Sequence, residues 1–206
     1  MTPLKLVVLG ILVVALDLDV GTVDLLLDPV GYGLVVLGVH RVAHLHAALP
    51  WARAAAGAGL VASVPALLLR RLETDVTGEG GFTTTTHRLV EHPVPVAVEA
   101  LAQAAFVITV CTALIALATS DRVRAPARVL RWALPAVDLF AVLLGLVLFA
   151  LTGDGDVEVA PGPLAALALL LVVVTLVLAV WFVVVLVRAS REPALSGGHA
   201  PAVIAG

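Results

Sequence analysis

Charged side chains are scarce in this sequence of 206 residues: aspartate, glutamate, lysine and arginine together make up 13% of it. A typical soluble domain carries about 25%. Apolar residues, counted without glycine, reach 61%, and the mean hydropathy is +1.13. These values exclude a soluble globular domain, a disordered chain, a coiled coil and a nucleic-acid-binding protein. We therefore expect an integral membrane protein whose main partner is the lipid bilayer.

Cysteine and lysine are almost absent, with one residue of each at Cys111 and Lys5. A single cysteine excludes an intramolecular disulfide. Burial in an apolar run also disfavours the thiolate, so Cys111 is expected to serve packing. Eleven of the twelve basic residues are arginine. With the richness in alanine, valine, leucine and glycine, this bias is typical of a high-GC bacterial genome such as that of an actinobacterium.

The short motifs of common enzyme sites are also missing. The sequence contains no Walker A motif, no G-x-S-x-G, no H-E-x-x-H and no dinucleotide fingerprint. We therefore expect no enzymatic activity, no catalytic residue, no cofactor and no bound metal.

Long apolar runs dominate the rest of the chain. A helix needs about 20 apolar residues to cross a bilayer core of about 30 Å, and backbone in lipid must satisfy its own hydrogen bonds. We predict an all-α, polytopic bundle with a disordered tail at 191–206 and a short extended piece at 82–86 in the longest connection. The spans are predicted at about 4–20, 29–49, 52–69, 94–119, 129–151 and 163–187.

The first two spans are the weakest, because the uncharged run in each is short: 6–16 ends at Asp17, and 29–39 ends at His40. These segments either cross the membrane fully or form a re-entrant hairpin. Both alternatives leave the orientation of the remaining spans unchanged.

The basic residues set that orientation. Short cytoplasmic loops of membrane proteins carry an excess of lysine and arginine. With the N-terminus in the cytoplasm, nine of the twelve basic residues fall on the cytoplasmic side and three (Arg70, Arg71 and Arg88) fall outside. We predict that both termini are cytoplasmic and that the protein resides in the bacterial inner membrane. The nine are Lys5, Arg41, Arg53, Arg122, Arg124, Arg128, Arg131, Arg188 and Arg191.

Asp138 is the leading candidate for a functional residue, because it lies well inside the predicted fifth span. A carboxylate at that depth is costly and indicates a functional site by default. Two interpretations are open. Asp138 forms a structural pair with Arg131, His40 or Arg41, or it serves as a proton or cation relay.

His40, Arg41 and His44 form a second candidate cluster at the predicted cytoplasmic end of the second span. His40 and His44 are four residues apart and share a helix face, but a metal site needs a third and a fourth ligand. The alternative is a basic interfacial cluster that anchors the helix end, with Trp51 as its aromatic neighbour.

Glu99 and Gln103 are secondary candidates, one turn apart near the outer end of the fourth span. They line a polar entry, or they pair with Arg70 or Arg71 at the outer end of the third span.

The third span has alanine at every fourth residue, which predicts close helix packing. We expect this helix to be central in the bundle, and such small-residue faces also suit association with a second copy or another membrane protein. The stripe comprises Ala54, Ala58, Ala62 and Ala66, beside Ala55, Gly59 and Ser63.

An acidic segment precedes the second span: Leu16-Asp17-Leu18-Asp19-Val20-Gly21, then Val23-Asp24-Leu25-Leu26-Leu27-Asp28-Pro29-Val30-Gly31-Tyr32. This D-P-x-G-Tyr pattern, within 17–41, resembles the opening hairpin of a group of small bacterial polytopic membrane proteins. The resemblance implies a polytopic membrane protein and brings no activity. Physically, the segment predicts an acidic turn and a proline-started helix whose Gly31, Gly33 and Gly38 permit close packing.

Two functional classes follow. The first is a non-enzymatic membrane protein of structural, regulatory or accessory type, which fits the few polar residues in the spans. The second is a small transporter or channel with a proton- or cation-linked site around Asp138, His40 and His44. The sequence leaves the solute and the oligomeric state open.

Overall fold

The structure, a computed structural model, describes residues 2–16, 19–20, 23–24, 28–69, 71–79, 82–90, 93–152 and 162–195. This part of the chain contains six α-helices, which confirms the predicted helical class. The helices are α1 (Pro3–Leu16), α2 (Asp28–Val42), α3 (Leu49–Leu69), α4 (Pro93–Leu117), α5 (Asp121–Thr152) and α6 (Pro163–Ala189), with a 3₁₀ turn at Ala43–Leu45.

Two antiparallel hairpins add to the helices. A short one pairs β1 (Asp19–Val20) with β2 (Val23–Asp24). A longer one joins α3 to α4 and pairs β3 (Arg71–Glu79) with β4 (Phe82–Val90). The sequence predicted only a short extended piece here, and the paired region is much longer. Its β-branched residues, four consecutive threonines among them, favour strands.

The six helices form a closed ring in chain order, because each contacts the next and α6 also contacts α1. Neighbours run antiparallel: Gly38 of α2 lies beside Pro3 and Val7 of α1, and His40 of α2 bonds Arg53 of α3. One end of the ring therefore holds the starts of α1, α3 and α5 and the ends of α2, α4 and α6. We call it the arginine-rich end, because the nine basic residues predicted to be cytoplasmic belong to it or to the helix turns nearest to it.

Glycines bring α1 and α2 into backbone contact. A Cβ atom on Gly31 would lie 2.6 Å from Val14 Cγ2 and 2.8 Å from the Gly10 carbonyl oxygen. A Cβ on Gly38 would lie 2.7 Å from Val7 Cγ2. The predicted packing role is thus seen for Gly31 and Gly38. A Cβ on Gly33 would meet nothing within 4 Å, so this glycine takes no part in the contact.

Apolar packing is concentrated at the arginine-rich end. Leu114, Leu130, Val185 and Leu186 are at most 2% exposed and belong to one continuous core cluster. The core continues beyond α6, where Leu195 is 2% exposed.

Residues 191–195, the first five of the predicted disordered tail, form turns in the structure. The backbone N–H groups of Arg191, Glu192 and Leu195 donate to the carbonyls of Arg188, Ala189 and Glu192, which makes hydrogen-bonded turns. The rest of that prediction, 196–206, lies outside the described residues.

Within the described part of the chain, three helices are long and apolar enough to cross a membrane by length and composition: Ala97–Leu117, Asp121–Val147 and Ala166–Ala189. This is fewer than the six predicted. The helix α1 has 14 residues and α2 has 15, and at 1.5 Å per residue each is about 21–23 Å long. Both helices are shorter than a bilayer core of about 30 Å.

The helix α4 is more enclosed than the other two long apolar helices. Half of its apolar segment is buried, compared with 17% of the apolar segment in α5 and in α6. The sequence predicted α3 as the central helix. On α3, the alanine stripe is divided: Ala62 is buried, but Ala54 and Ala58 are not. The buried face of α3 is instead formed by Ala52, Ala56, Gly59, Ala62 and Ser63.

The glycine contact gives a stability prediction with a control on the same helix. Gly31→Ala should lower the stability of the purified protein by about 1–3 kcal/mol, because the added methyl group meets backbone and forces α1 and α2 apart. Gly33→Ala should leave stability equal or slightly higher, because alanine favours a helix over glycine by about 1 kcal/mol. Unfolding midpoints in detergent measure both variants, and equal midpoints would contradict the contact.

Candidate functional site

All six helices contribute to one cavity inside the ring, with a volume of about 270 Å³. Each helix turns small or apolar side chains towards it, and four polar side chains stand among them. The lining consists of Ile11, Val14, Ala15, Tyr32, Val35, Ala56, Ala102, Gln103, Phe106, Val107, Leu134, Asp138, Thr175, Ala179 and Phe182.

The floor of the cavity, towards the arginine-rich end, is apolar. Phe106 of α4 and Phe182 of α6 meet edge to face, with ring centroids 6.5 Å apart and planes at 90°. Leu134 and Val107 adjoin them in the lining. All four belong to the buried core cluster, so the cavity is closed on this side.

The four polar side chains form a ring above this floor. Each lies one turn, three or four residues, farther from the arginine-rich end than an apolar lining residue of its own helix. Residues at this spacing share a helix face, so both levels point inward. The pairs, with the polar member first, are Tyr32 and Val35, Gln103 and Val107, Asp138 and Leu134, and Thr175 and Ala179.

Tyr32 connects three helices. Its ring covers Gly59 of α3, where a Cβ would lie 2.5 Å from the ring. Its hydroxyl accepts a hydrogen bond of 2.8 Å from Gln103 Nε2 of α4. The hydroxyl also hydrogen-bonds the carboxylate of Glu99, one turn along α4. The two secondary candidates therefore act together, on Tyr32, and Gln103 also lines the cavity.

The alternative for Glu99, a pair with Arg70 or Arg71, is not described by the structure. Arg70 lies outside the described residues, and Arg71 is described in its backbone only.

Asp138 is partly buried and faces the cavity, and it is the one charged side chain among the described lining residues. The structural pair that the sequence allowed is not formed: within the described ranges, Asp138 makes no ion pair with Arg131, His40 or Arg41. The guanidinium of Arg131 instead lies 5.0 Å from the ring centroid of Trp132. The carboxylate therefore lines the cavity without an ion-pair partner among the described residues.

The histidine cluster lies elsewhere, at the arginine-rich end, and does not line the cavity. Arg53 Nη1 donates to His40 Nδ1 at 2.9 Å. Because a guanidinium only donates, Nδ1 is the acceptor in this contact. Arg41 and His44 are both exposed. Among the described residues, no three His, Cys, Asp or Glu side chains come together as a metal site would require.

Sequence reasoning missed two members of the polar ring, Tyr32 and Thr175. Tyr32 is the only tyrosine of the chain, and it stands one turn into α2, where the sequence suggested glycine packing. Thr175 is the single polar residue of a long apolar run in α6. An isolated polar residue in such a run is the signal that was available.

A double-mutant cycle tests the link between α2 and α4. Tyr32→Phe removes the acceptor and Gln103→Leu removes the donor, so the two changes should be coupled by about 0.6 kcal/mol and at most about 1.7 kcal/mol, as for other hydrogen bonds in membranes. Unfolding free energies of the two single variants and the double variant give this coupling.

Thr109→Val supplies the control, because Thr109 bonds the carbonyl of Ala105 within its own helix. Its effect should add to that of Tyr32→Phe without coupling. Strict additivity of Tyr32→Phe and Gln103→Leu would count against the hydrogen bond.

Comparison of the chain with known protein families, with curated proteins and with solved structures finds no match.

Proposed function

We propose that the chain is a six-span protein of the bacterial inner membrane, with both termini cytoplasmic, which binds a small organic cation in its central cavity as a step in transport. The observation that carries this proposal is the convergence of all six helices on a cavity with one carboxylate. It favours the transporter class over a structural or accessory protein.

The charge of the ligand follows from Asp138. An ionised carboxylate among apolar side chains is costly unless a partner of opposite charge is present. Within the described ranges the chain supplies no such partner to Asp138. The cost falls when the carboxylate binds a proton or pairs with a cation. We favour an ammonium group, because Gln103, Tyr32 and Thr175 offer oxygen atoms that accept its remaining N–H bonds.

The rest of the ligand is expected to be apolar and small. The floor offers the faces and edges of Phe106 and Phe182, and aromatic rings attract cations as well as alkyl groups. Cavities for drug-sized ligands measure about 300–1,000 Å³, and this one is slightly smaller, at about 270 Å³. The ligand class is therefore an alkylammonium ion of few carbon atoms.

Transport requires that the closed side open. The core cluster below Phe106 and Phe182 blocks the path towards the arginine-rich end, so release there requires α5 or α6 to move. Pro126 and Pro135 lie inside α5, and a proline removes a backbone hydrogen bond and allows a helix to bend. Pro135 stands between Leu134 of the floor and Asp138 of the polar ring, where a bend changes both levels.

Asp138→Asn is the decisive substitution. Propylammonium and butylammonium should raise the unfolding midpoint of the purified protein and enter proteoliposomes that contain it. Asp138→Asn should weaken binding about tenfold to a hundredfold, the contribution of a hydrogen bond to a charged group. Its unfolding midpoint without ligand reports whether the fold is intact.

Asp121→Asn is the matched control, because it removes an exposed carboxylate of the same helix, far from the cavity. It should bind both cations as the native protein does. Absence of any effect of either cation on the native protein, or full binding by a folded Asp138→Asn, would overturn the proposal and favour the accessory class.

The proposed topology has its own test. A fluorescent protein fused after Gly206 should fluoresce and alkaline phosphatase at the same position should be inactive, since both reporters depend on the compartment. The same two reporters inserted at Gly80 should behave in the opposite way. Active phosphatase after Gly206 would be incompatible with a cytoplasmic C-terminus.

A further inference from the structure

A second cleft, of about 490 Å³, lies at the arginine-rich end, between the start of α5 and the end of α6. It is separate from the central cavity and shares no lining residue with it. Its lining consists of Ser120, Arg122, Val123, Arg188, Arg191 and Glu192.

The first turn of α5 is fixed by a serine cap. The Ser120 carbonyl accepts from the N–H groups of Val123 and Arg124, each at 3.1 Å. The Ser120 hydroxyl accepts from the N–H of Arg122 at 3.2 Å. The cap holds the helix N-terminus at the cleft with its partial positive charge, and it fixes the backbone from which the Arg122 side chain extends.

The other wall is fixed by the turns after α6. Glu192 Oε2 accepts from the Thr119 hydroxyl at 2.6 Å and from the Thr119 N–H at 3.4 Å. This contact ties residue 192 to the connection between α4 and α5, and Leu195 is buried against the core. Arg188 and Arg191 are thereby held opposite Arg122 across the cleft.

The cleft has an excess of positive charge. Three arginines and one glutamate line it, and one oxygen of that glutamate is already engaged by Thr119. None of the three guanidinium groups forms an ion pair with another side chain in the described ranges. The guanidinium forks are therefore free to bind an anion in the bidentate manner that suits phosphate.

We propose that this cleft binds a phosphate group, the charged part of an anionic phospholipid headgroup. The position of the cleft along the membrane normal favours a phospholipid as the source of this phosphate group. It lies where the membrane-crossing stretch of α5 begins and that of α6 ends, which is the level of the headgroups. The same end faces the cytoplasm in the proposed topology, and the cytoplasmic leaflet carries anionic lipids.

The experiment uses the purified full chain in a neutral detergent, with its unfolding midpoint as the readout. The probes are dihexanoyl phosphatidylglycerol, dihexanoyl phosphatidylcholine and inorganic phosphate, each titrated at constant ionic strength. The anionic phosphatidylglycerol should raise the unfolding midpoint at concentrations where the zwitterionic phosphatidylcholine does not. Equal effects of the two lipids would overturn the proposal.

Two triple variants separate the cleft from general attraction to positive charge. Arg122→Gln/Arg188→Gln/Arg191→Gln should weaken the effect of phosphatidylglycerol at least about tenfold, because charge-assisted hydrogen bonds are lost. Lys5→Gln/Arg41→Gln/Arg128→Gln removes the same charge from exposed residues at the same end, outside the cleft. This control should retain the native response, and equal losses in both variants would refute a specific site.

Two further measurements complete the test. Arg191→Gln alone, which keeps Arg122 and Arg188, serves if the triple variant fails to fold, and a native response from this single variant would also contradict the site. Inorganic phosphate should give less stabilisation than the lipid at equal concentration. If phosphate alone gave the full response, the lipid would be the wrong source and the proposal would be overturned in that part.

Discussion

The packing at the arginine-rich end is the constraint on which the rest of the structure depends. Lipid gives helices little reason to associate, so close packing must hold them together. Here the packing is closest where the core cluster joins all six helices and the segment after α6. It ends at the level of Phe106 and Phe182, which form the floor of the cavity, and the polar ring lies one turn beyond. The cavity is therefore a consequence of where the tight packing stops.

The polar ring above the floor is held by the same scaffold. Tyr32 is positioned because glycine at residue 59 leaves room for its ring and because Gln103 fixes its hydroxyl. Helices α1 and α2 are short, yet their glycine-mediated backbone contact holds α2, which carries Tyr32, against α1. Asp138, by contrast, receives no fixed partner from the described chain. In the proposed function, Asp138 is therefore the charged contact of the ligand, while Tyr32 and Gln103 both face the cavity and link α2 to α4.

Sequence reasoning succeeded where the information is local. Apolar runs located all six helices, and depth alone singled out Asp138. The bounds differ where helices are amphipathic: α5 begins at Asp121 instead of near 129, because the capped turn with its arginines is helical but not apolar. Neighbours across helices were not predictable. Periodicity shows which residues share a face of α2 or α6. It does not show that Tyr32 and Thr175 line one cavity with Asp138, or that His40 bonds Arg53 at the arginine-rich end.

The helix α5 connects the two proposed sites. Arg122 in its first turn lines the cleft, and Asp138, sixteen residues later, lines the cavity. Pro126 and Pro135 lie between them. A rigid helix would transmit any movement of one site to the other, whereas bending at a proline uncouples the two halves. The cap at Ser120 and the core contact of Leu130 hold the half nearest the cleft. In the proposed transport step, a bend at Pro135 therefore moves the half that carries Asp138.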